Sequence, residues 1–233
     1  MKVIGIVGGI GPESTVDYYR LLLSRFRKAG SHETPGIFIN SIDLSRLLSL
    51  AGLDDRAGLI EYLLGAVEAL ARAGTELALF AANTPHLVFD EVQQRSPIEL
   101  VSIVEATCET AQGMGLKRVG LIGARFTMQG EFYPAAFARR GIAVVVPVAE
   151  DQVYVHERYV NELVSGKFLP ETRAGFMAVI ERMHRRDGID GVVLGGTELP
   201  LLLRDSAHPL PFLDTTQIHV DAVVARALAD AAG

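Results

Sequence analysis

The sequence predicts an α/β fold of two pseudo-symmetric lobes, each a parallel sheet flanked by helices, and three observations carry that reading. Apolar runs of strand length alternate with longer amphipathic segments, the rhythm of β-α-β units. Landmarks of the first half return about 115 positions later: Gly5-Ile6-Val7-Gly8 is matched by Gly120-Leu121-Ile122-Gly123, and Tyr18 by Tyr133. No Pro-, Gly- or Ser-rich linker separates the halves, so Gly113-Met114-Gly115 reads as a helix stop between an N-terminal lobe at 1–114 and a C-terminal lobe at 115–233.

The elements follow in order. Residues 2–8 form a short apolar strand, which runs into Gly8-Gly9-Ile10-Gly11-Pro12 rather than a cleavage site and so reads as a buried first strand, not a signal peptide. Pro12 suits the first turn of a helix over 13–29. A strand at 36–41, a helix at 54–73 and a strand at 76–82 continue the alternation, and a strand near 99–102 precedes a helix at 103–114. Lys117–Gly123 then starts the rhythm again. Ala82-Asn83-Thr84-Pro85 set against Gly196-Thr197-Glu198-Leu199 gives an offset of 114, and Leu100-Val101-Ser102 before one helix corresponds to Phe212-Leu213-Asp214 before the last, at 216–230. Strand carboxyl ends of two such lobes can face one crevice, where a ligand is expected. Whether helices 103–114 and 216–230 cross between the lobes is left open by the sequence.

Composition narrows the function. With 233 residues, 49% hydrophobic and 21% charged, the chain is long enough to bury a sizeable core and reads as soluble and globular. No apolar stretch approaches the roughly 18 residues of a membrane span, so no membrane partner is expected. A net charge of −6 with scattered Lys and Arg argues against nucleic acid and for a small-molecule partner. The single cysteine, Cys108, cannot form an internal disulfide; a cytoplasmic setting follows, with the thiol read as a small buried hydrophobe in its helix. His32, His86, His156, His184, His208 and His219 offer no close ligand pair, and no metal is expected. The glycine-rich turn is neither Gly-x-Gly-x-x-Gly nor a nucleotide-binding phosphate loop, but the backbone N–H groups of the turn that holds Gly9 and Pro12 suit a carboxylate or phosphate.

The run Val7-Gly8-Gly9-Ile10-Gly11-Pro12-Glu13-Ser14-Thr15 with Tyr18-Tyr19 resembles the opening of the aspartate/glutamate racemase superfamily. The resemblance continues through Ala82-Asn83-Thr84-x-His86, Gly120–Gly123 with Thr127, Gly195-Gly196-Thr197-Glu198-Leu199-Pro200 and Leu213-Asp214-Thr215-Thr216-x-x-His219, and so spans essentially the whole chain. It implies an isomerase that works without pyridoxal phosphate or any other cofactor, on a small amino or carboxylic acid, as a homodimer. That family carries Cys-Asn-Thr at the first site and Gly-Cys-Thr-Glu at the second, two thiols that face the substrate α-carbon from opposite sides. Here those catalytic positions are Ala82 and Gly196. An α-proton is weakly acidic, and its transfer needs a positioned base and a matched acid, which neither residue supplies.

The resemblance leaves His86, Glu198 and Thr84 as the candidate acid/base groups. It implies Asn83 and Thr197 as carboxylate holders, with Thr84 and Thr127 beside them. Arg46 is positioned to pair with a distal carboxylate. His219 is expected in a supporting network with Asp214. Ser165 stands where a lysine often occurs in such enzymes, which loosens the assignment to aspartate or glutamate. Three readings stay open: an enzyme of altered chemistry such as elimination, decarboxylation or one-base isomerisation, a carboxylate-binding pseudoenzyme, or a cysteine-substituted form of a genuine racemase.

Overall fold

The computed structural model describes residues 1–30, 33–204 and 208–229; His32 and the last residue of the helix expected at 216–230 lie outside them. In chain order the first elements are β1 (Ile4–Gly8), α1 (Pro12–Lys28), β2 (Ile37–Ser41), α2 (Leu44–Gly52), α3 (Arg56–Arg72), β3 (Leu77–Phe80), a 3-10 helix at Thr84–Val88, α4 (Phe89–Arg95) and β4 (Glu99–Val101). There follow α5 (Ile103–Gly113), β5 (Arg118–Gly123), α6 (Arg125–Gln129), α7 (Phe132–Ala138), β6 (Ala143–Val145) and α8 (Ala149–Asn161). After a 3-10 helix at Leu163–Ser165 come α9 (Pro170–Asp187), β7 (Gly191–Gly195), α10 (Leu199–Leu203), β8 (Phe212–Asp214) and α11 (Thr215–Ala229).

Two four-stranded parallel sheets result, ordered β2-β1-β3-β4 and β6-β5-β7-β8. The second order is the first advanced by four strands, so the repeat in the sequence is a repeat of topology. Chain contacts define two compact units, Met1–Ile103 with His219–Gly233, and Val104–Ile218. Relative to a cut at 114/115, this division gives nearly all of α5 to the second unit and most of α11 to the first.

Two buried tyrosines mark how those helices are held. In the first unit the Tyr18 hydroxyl on α1 is 2.9 Å from Nδ1 of His219 on α11. In the second, Tyr133 on α7 hydrogen-bonds the Thr107 side chain on α5. Tyr18 and Tyr133 are repeat-equivalent, and each ties down the helix that follows the last strand of the other half. The strand starts are repeat-equivalent too: the Glu76 carboxylate accepts the Val3 N–H, and the Asp190 carboxylate accepts those of Lys117 and Arg118.

Period-two alternation builds the first core. Ile4 and Ile6 of β1 pack with Leu77, Leu79, Tyr18, Phe26 and Val223 on one side of the sheet, while Val7 and Phe80 pack with Leu63, Val67 and Ala82 on the other. The second core gathers Ile122, Val155, Tyr159, Phe176, Val192 and Leu194. The strand expected over 76–82 ends at Phe80, because the chain bends at Ala81–Asn83 and then enters a 3-10 helix whose Pro85 has no N–H for a ladder bond. Among the described residues no helix is long and apolar enough to cross a membrane, and no group of three or more His, Cys, Asp or Glu side chains is placed to hold a metal ion.

Candidate active site

In each unit the residues singled out by sequence sit at strand carboxyl ends, where open α/β sheets bind their ligands. In the first unit β1 and β3 are neighbours, and the Ala81 N–H donates to Val7 O across their ends. That bond puts the Gly8–Pro12 turn beside the Ala82–Thr84 turn. Gly9 has φ 80°, and a Cβ there would stand 2.4 Å from Ile42 O, so only glycine fits. Its N–H donates to Thr15 Oγ1 at 3.0 Å, which engages one backbone donor that the sequence offered to a carboxylate. Pro12 opens α1 in its first turn.

Ala82, Asn83, Thr84 and His86 share the turn after β3, and all four are buried. The methyl of Ala82 packs into the apolar cluster and brings no proton-transfer atom. The His86 ring is stacked on Phe89 with centroids 4.7 Å apart, and its Nε2 accepts the Ile103 N–H at 3.3 Å. Backbone carbonyls of Asn83 and Ala82 nearby favour the charged ring, but less than burial opposes it. Burial, with a smaller contribution from His219, drives its pKa down to about 3. The imidazole is therefore neutral at physiological pH, with its Nε2 lone pair engaged. Expected as an acid/base group, His86 instead clamps the turn to the start of α5.

His219 likewise differs from expectation. Its Nε2 lies 2.9 Å from Val101 O and its Nδ1 faces Tyr18, so its partners do not include Asp214. Burial lowers its pKa to about 4. The Asp214 carboxylate accepts the Gln217 N–H at the start of α11 and pairs with Arg204. Arg46 is exposed on α2, its guanidinium 4.6 Å over the Tyr62 ring, at the edge of an open hollow of about 550 Å³ shared with Asn40, Asp55 and Glu61.

In the second unit, β7 runs into Gly196-Thr197-Glu198. Thr197 and Glu198 are almost wholly buried. Thr127 of α6 packs its side chain against Gly123 and Gly195, and its hydroxyl is buried with no hydrogen-bond partner among the described residues. The Glu198 side chain does not cap α10, as a helix-start glutamate commonly does. Its Oε2 accepts from the Tyr159 hydroxyl and, at 3.4 Å, from Thr197 Oγ1.

Sequence reasoning missed Tyr159. A Cβ on Gly196 would lie 2.5 Å from its Cε2 and 2.8 Å from its Cζ and Oη. The phenol end of Tyr159 thus fills the space that a side chain at 196 would enter. Burial, reinforced by the charge of Glu198, holds this phenol well above the ordinary tyrosine range, so it remains protonated at neutral pH. The only sequence signal is the apolar i, i+4 pair Val155 and Tyr159 on α8, which marks a core face and nothing more. Cys108 is buried with its thiol 3.5 Å from Ala136 O, and burial raises its pKa, the setting of an inert thiol.

The chain matches the Asp/Glu/Hydantoin racemase family over residues 7–223. Its fold superposes on a candidate Asp/Glu racemase from Yersinia pestis at a TM-score of 0.87 and 30% identity, covering 98% of this chain and 100% of that one. An aspartate racemase homologue from Pyrococcus horikoshii OT3 gives a TM-score of 0.83 and 35% identity, covering 97% and 99%. The broad specificity amino-acid racemase RacX of Bacillus subtilis (strain 168) is 22% identical over 97% of this chain and 99% of its own length. This chain belongs to the Asp/Glu/Hydantoin racemase family.

Proposed function

We propose that this protein binds a small amino or carboxylic acid, that the Asn83–Thr84 turn of the first unit and the Thr197–Glu198 turn of the second each offer a carboxylate holder, and that its chemistry does not run through two thiols. The observation that carries the reading is Gly196 packed against the ring of Tyr159: at one position that bears a thiol in the family the side-chain space is filled by the phenol end of Tyr159, while the polar residues next to it stay in place. The other such position, Ala82, is a buried methyl. Thr127 supports a ligand in the second unit, because an unpartnered buried hydroxyl costs about 1–3 kcal/mol and persists where it has a use. The Arg46 guanidinium, exposed and held flat on Tyr62, suits a second carboxylate.

Calorimetric titration with each enantiomer of aspartate, glutamate and alanine, and with succinate, tests the reading. At least one of them should bind with a Kd between about 1 μM and 1 mM, the ordinary substrate range. Asn83→Ala or Thr197→Ala should weaken that binding about 10- to 100-fold, the loss of a hydrogen bond to a charged group. Absence of binding by the whole panel, or affinities indifferent to both substitutions, refutes it.

A further inference from the structure

We propose that the Tyr159 phenol, backed by the Glu198 carboxylate, is the proton-transfer group of this protein, standing in the space where a residue-196 side chain would reach. The inference deepens the reading of a small-acid site and rests on it.

Three features of the second unit converge on it. The phenol oxygen lies 2.8 Å from where a Cβ of residue 196 would stand, so an O–H that can give and take a proton occupies the side-chain space of residue 196. Its partner is a carboxylate: the hydroxyl donates to Glu198 Oε2, and Thr197 Oγ1 donates to the same oxygen. The pair is buried, with Glu198 1% exposed, in a core that provides Val155, Leu194 and Leu199 around the ring. A carboxylate and a phenol placed together in an apolar core have a desolvation cost that apolar residues of the same size would avoid. Such arrangements cluster at functional sites.

The step balances without a further reactant. The bond between the substrate α-carbon and its hydrogen breaks, and the proton passes to the Tyr159 oxygen as the phenol proton moves to the Glu198 carboxylate. The electron pair stays on the carbon and delocalises into the substrate carboxyl group. The reverse movement returns a proton to the carbon, and exchange of the Glu198 proton with solvent makes that proton a deuteron in heavy water. The Tyr159–Glu198 pair is the single group that both removes and restores the proton. The expected product is deuterated at the α-carbon with its configuration retained.

Incubation of the full chain with each enantiomer of aspartate, glutamate and alanine in deuterated buffer reads the result. Loss of the α-proton signal is followed by NMR and configuration by chiral chromatography, with binding measured in parallel. The wild-type protein should exchange the α-hydrogen of a bound probe without inversion. Tyr159→Phe keeps the ring that fills the space over Gly196; it should slow exchange at least 100-fold while changing Kd less than threefold, since a positioned acid/base group contributes about 10²- to 10⁴-fold. Glu198→Gln should slow exchange in the same direction.

Binding without exchange in the wild-type protein overturns the role of Tyr159 and leaves the binding reading intact. Exchange that survives Tyr159→Phe within twofold overturns it, as does exchange accompanied by racemisation, which requires a second group. Parallel loss of binding and exchange in the folded Tyr159→Phe protein would make the phenol a holding group and also overturn it. Failure of every probe to bind removes the small-acid reading and the proposal with it.

Discussion

Gly196→Ala is the smallest perturbation that separates a functional vacancy from a packed one. The added Cβ would stand 2.5 Å from Tyr159 Cε2 and 2.8 Å from Cζ and Oη, where ordinary contact begins near 3.4 Å. Relief requires the ring to retreat by several tenths of an ångström or more. The ring is held by the core around Val155 and Leu194 and by its bond to Glu198, so the strain stays in the structure. Overpacking of this kind costs about 1–3 kcal/mol. Gly196 is not among the residues of positive φ, so its backbone accepts alanine, which by itself would stabilise by about 0.4–1 kcal/mol. Tyr159→Leu removes the three atoms the Cβ would meet. In that background Gly196→Ala should therefore be neutral or stabilising, giving a coupling energy of roughly 1–4 kcal/mol in a double-mutant cycle. Urea unfolding of the four proteins, followed by circular dichroism, measures it. A coupling below about 0.5 kcal/mol, the level of additivity between independent sites, would refute the claim that Tyr159 occupies the 196 side-chain space.

Other consequences are equally specific. Gly9→Ala combines a left-handed backbone with a Cβ 2.4 Å from Ile42 O, and should cost at least about 2 kcal/mol, seen as a fall in Tm of roughly 4–8 °C; an unchanged Tm would contradict the turn geometry. The pKa values of His86 and His219 are held at about 3 and about 4, below the unfolded value near 6.5, so below pH 6.5 the unfolded chain binds protons that the folded one refuses. Their contribution to stability is complete above pH 6.5 and is lost as pH falls. His219→Gln should flatten the dependence of stability on pH between about 6 and 4 by about 1.4 kcal/mol per unit, and an unaltered slope would show that the ring is not neutral in the fold. Arg46→Ala should weaken binding of a dicarboxylate about 10-fold or more while leaving alanine unaffected; equal effects on both would remove Arg46 from substrate recognition.

The fold was legible because its signals are local and repeated. Short apolar runs such as Ile4–Val7 and Val192–Leu194 form strands buried on both faces, and the 115-residue offset places Gly5 and Gly120 on equivalent central strands. The site was half legible. The Asn83 and Thr197 turns were marked by motif, but the state of His86 depends on Phe89 stacking and on an N–H of Ile103, contacts that no spacing encodes. Helix α2 escaped notice because Leu44–Gly52 is brief and carries a single fully buried residue, Leu47, so its periodicity is weak. Tyr159 was hidden for a different reason. It lies on a helix 37 positions before Gly196 and reads as one more core aromatic until the fold lays its ring against that glycine.

The absence of a thiol at 196 is thus not equivalent to a deletion. A cysteine there would need the Cβ position that the Tyr159 ring end occupies, so Gly196→Cys requires that ring end to shift. Displacing the ring in turn deprives Glu198 of its hydroxyl donor in a buried setting, which costs about 1–3 kcal/mol or more for a charged group. Positions 159, 196 and 198 therefore form one coupled set with two self-consistent solutions: a thiol with a smaller or turned-away residue at 159, or glycine with a tyrosine and its carboxylate. In the glycine solution the space beside residue 196 is filled by the phenol end of Tyr159. Gly196→Cys should therefore cost less stability in a Tyr159→Leu background than in the wild-type protein, as the coupling of the two positions requires.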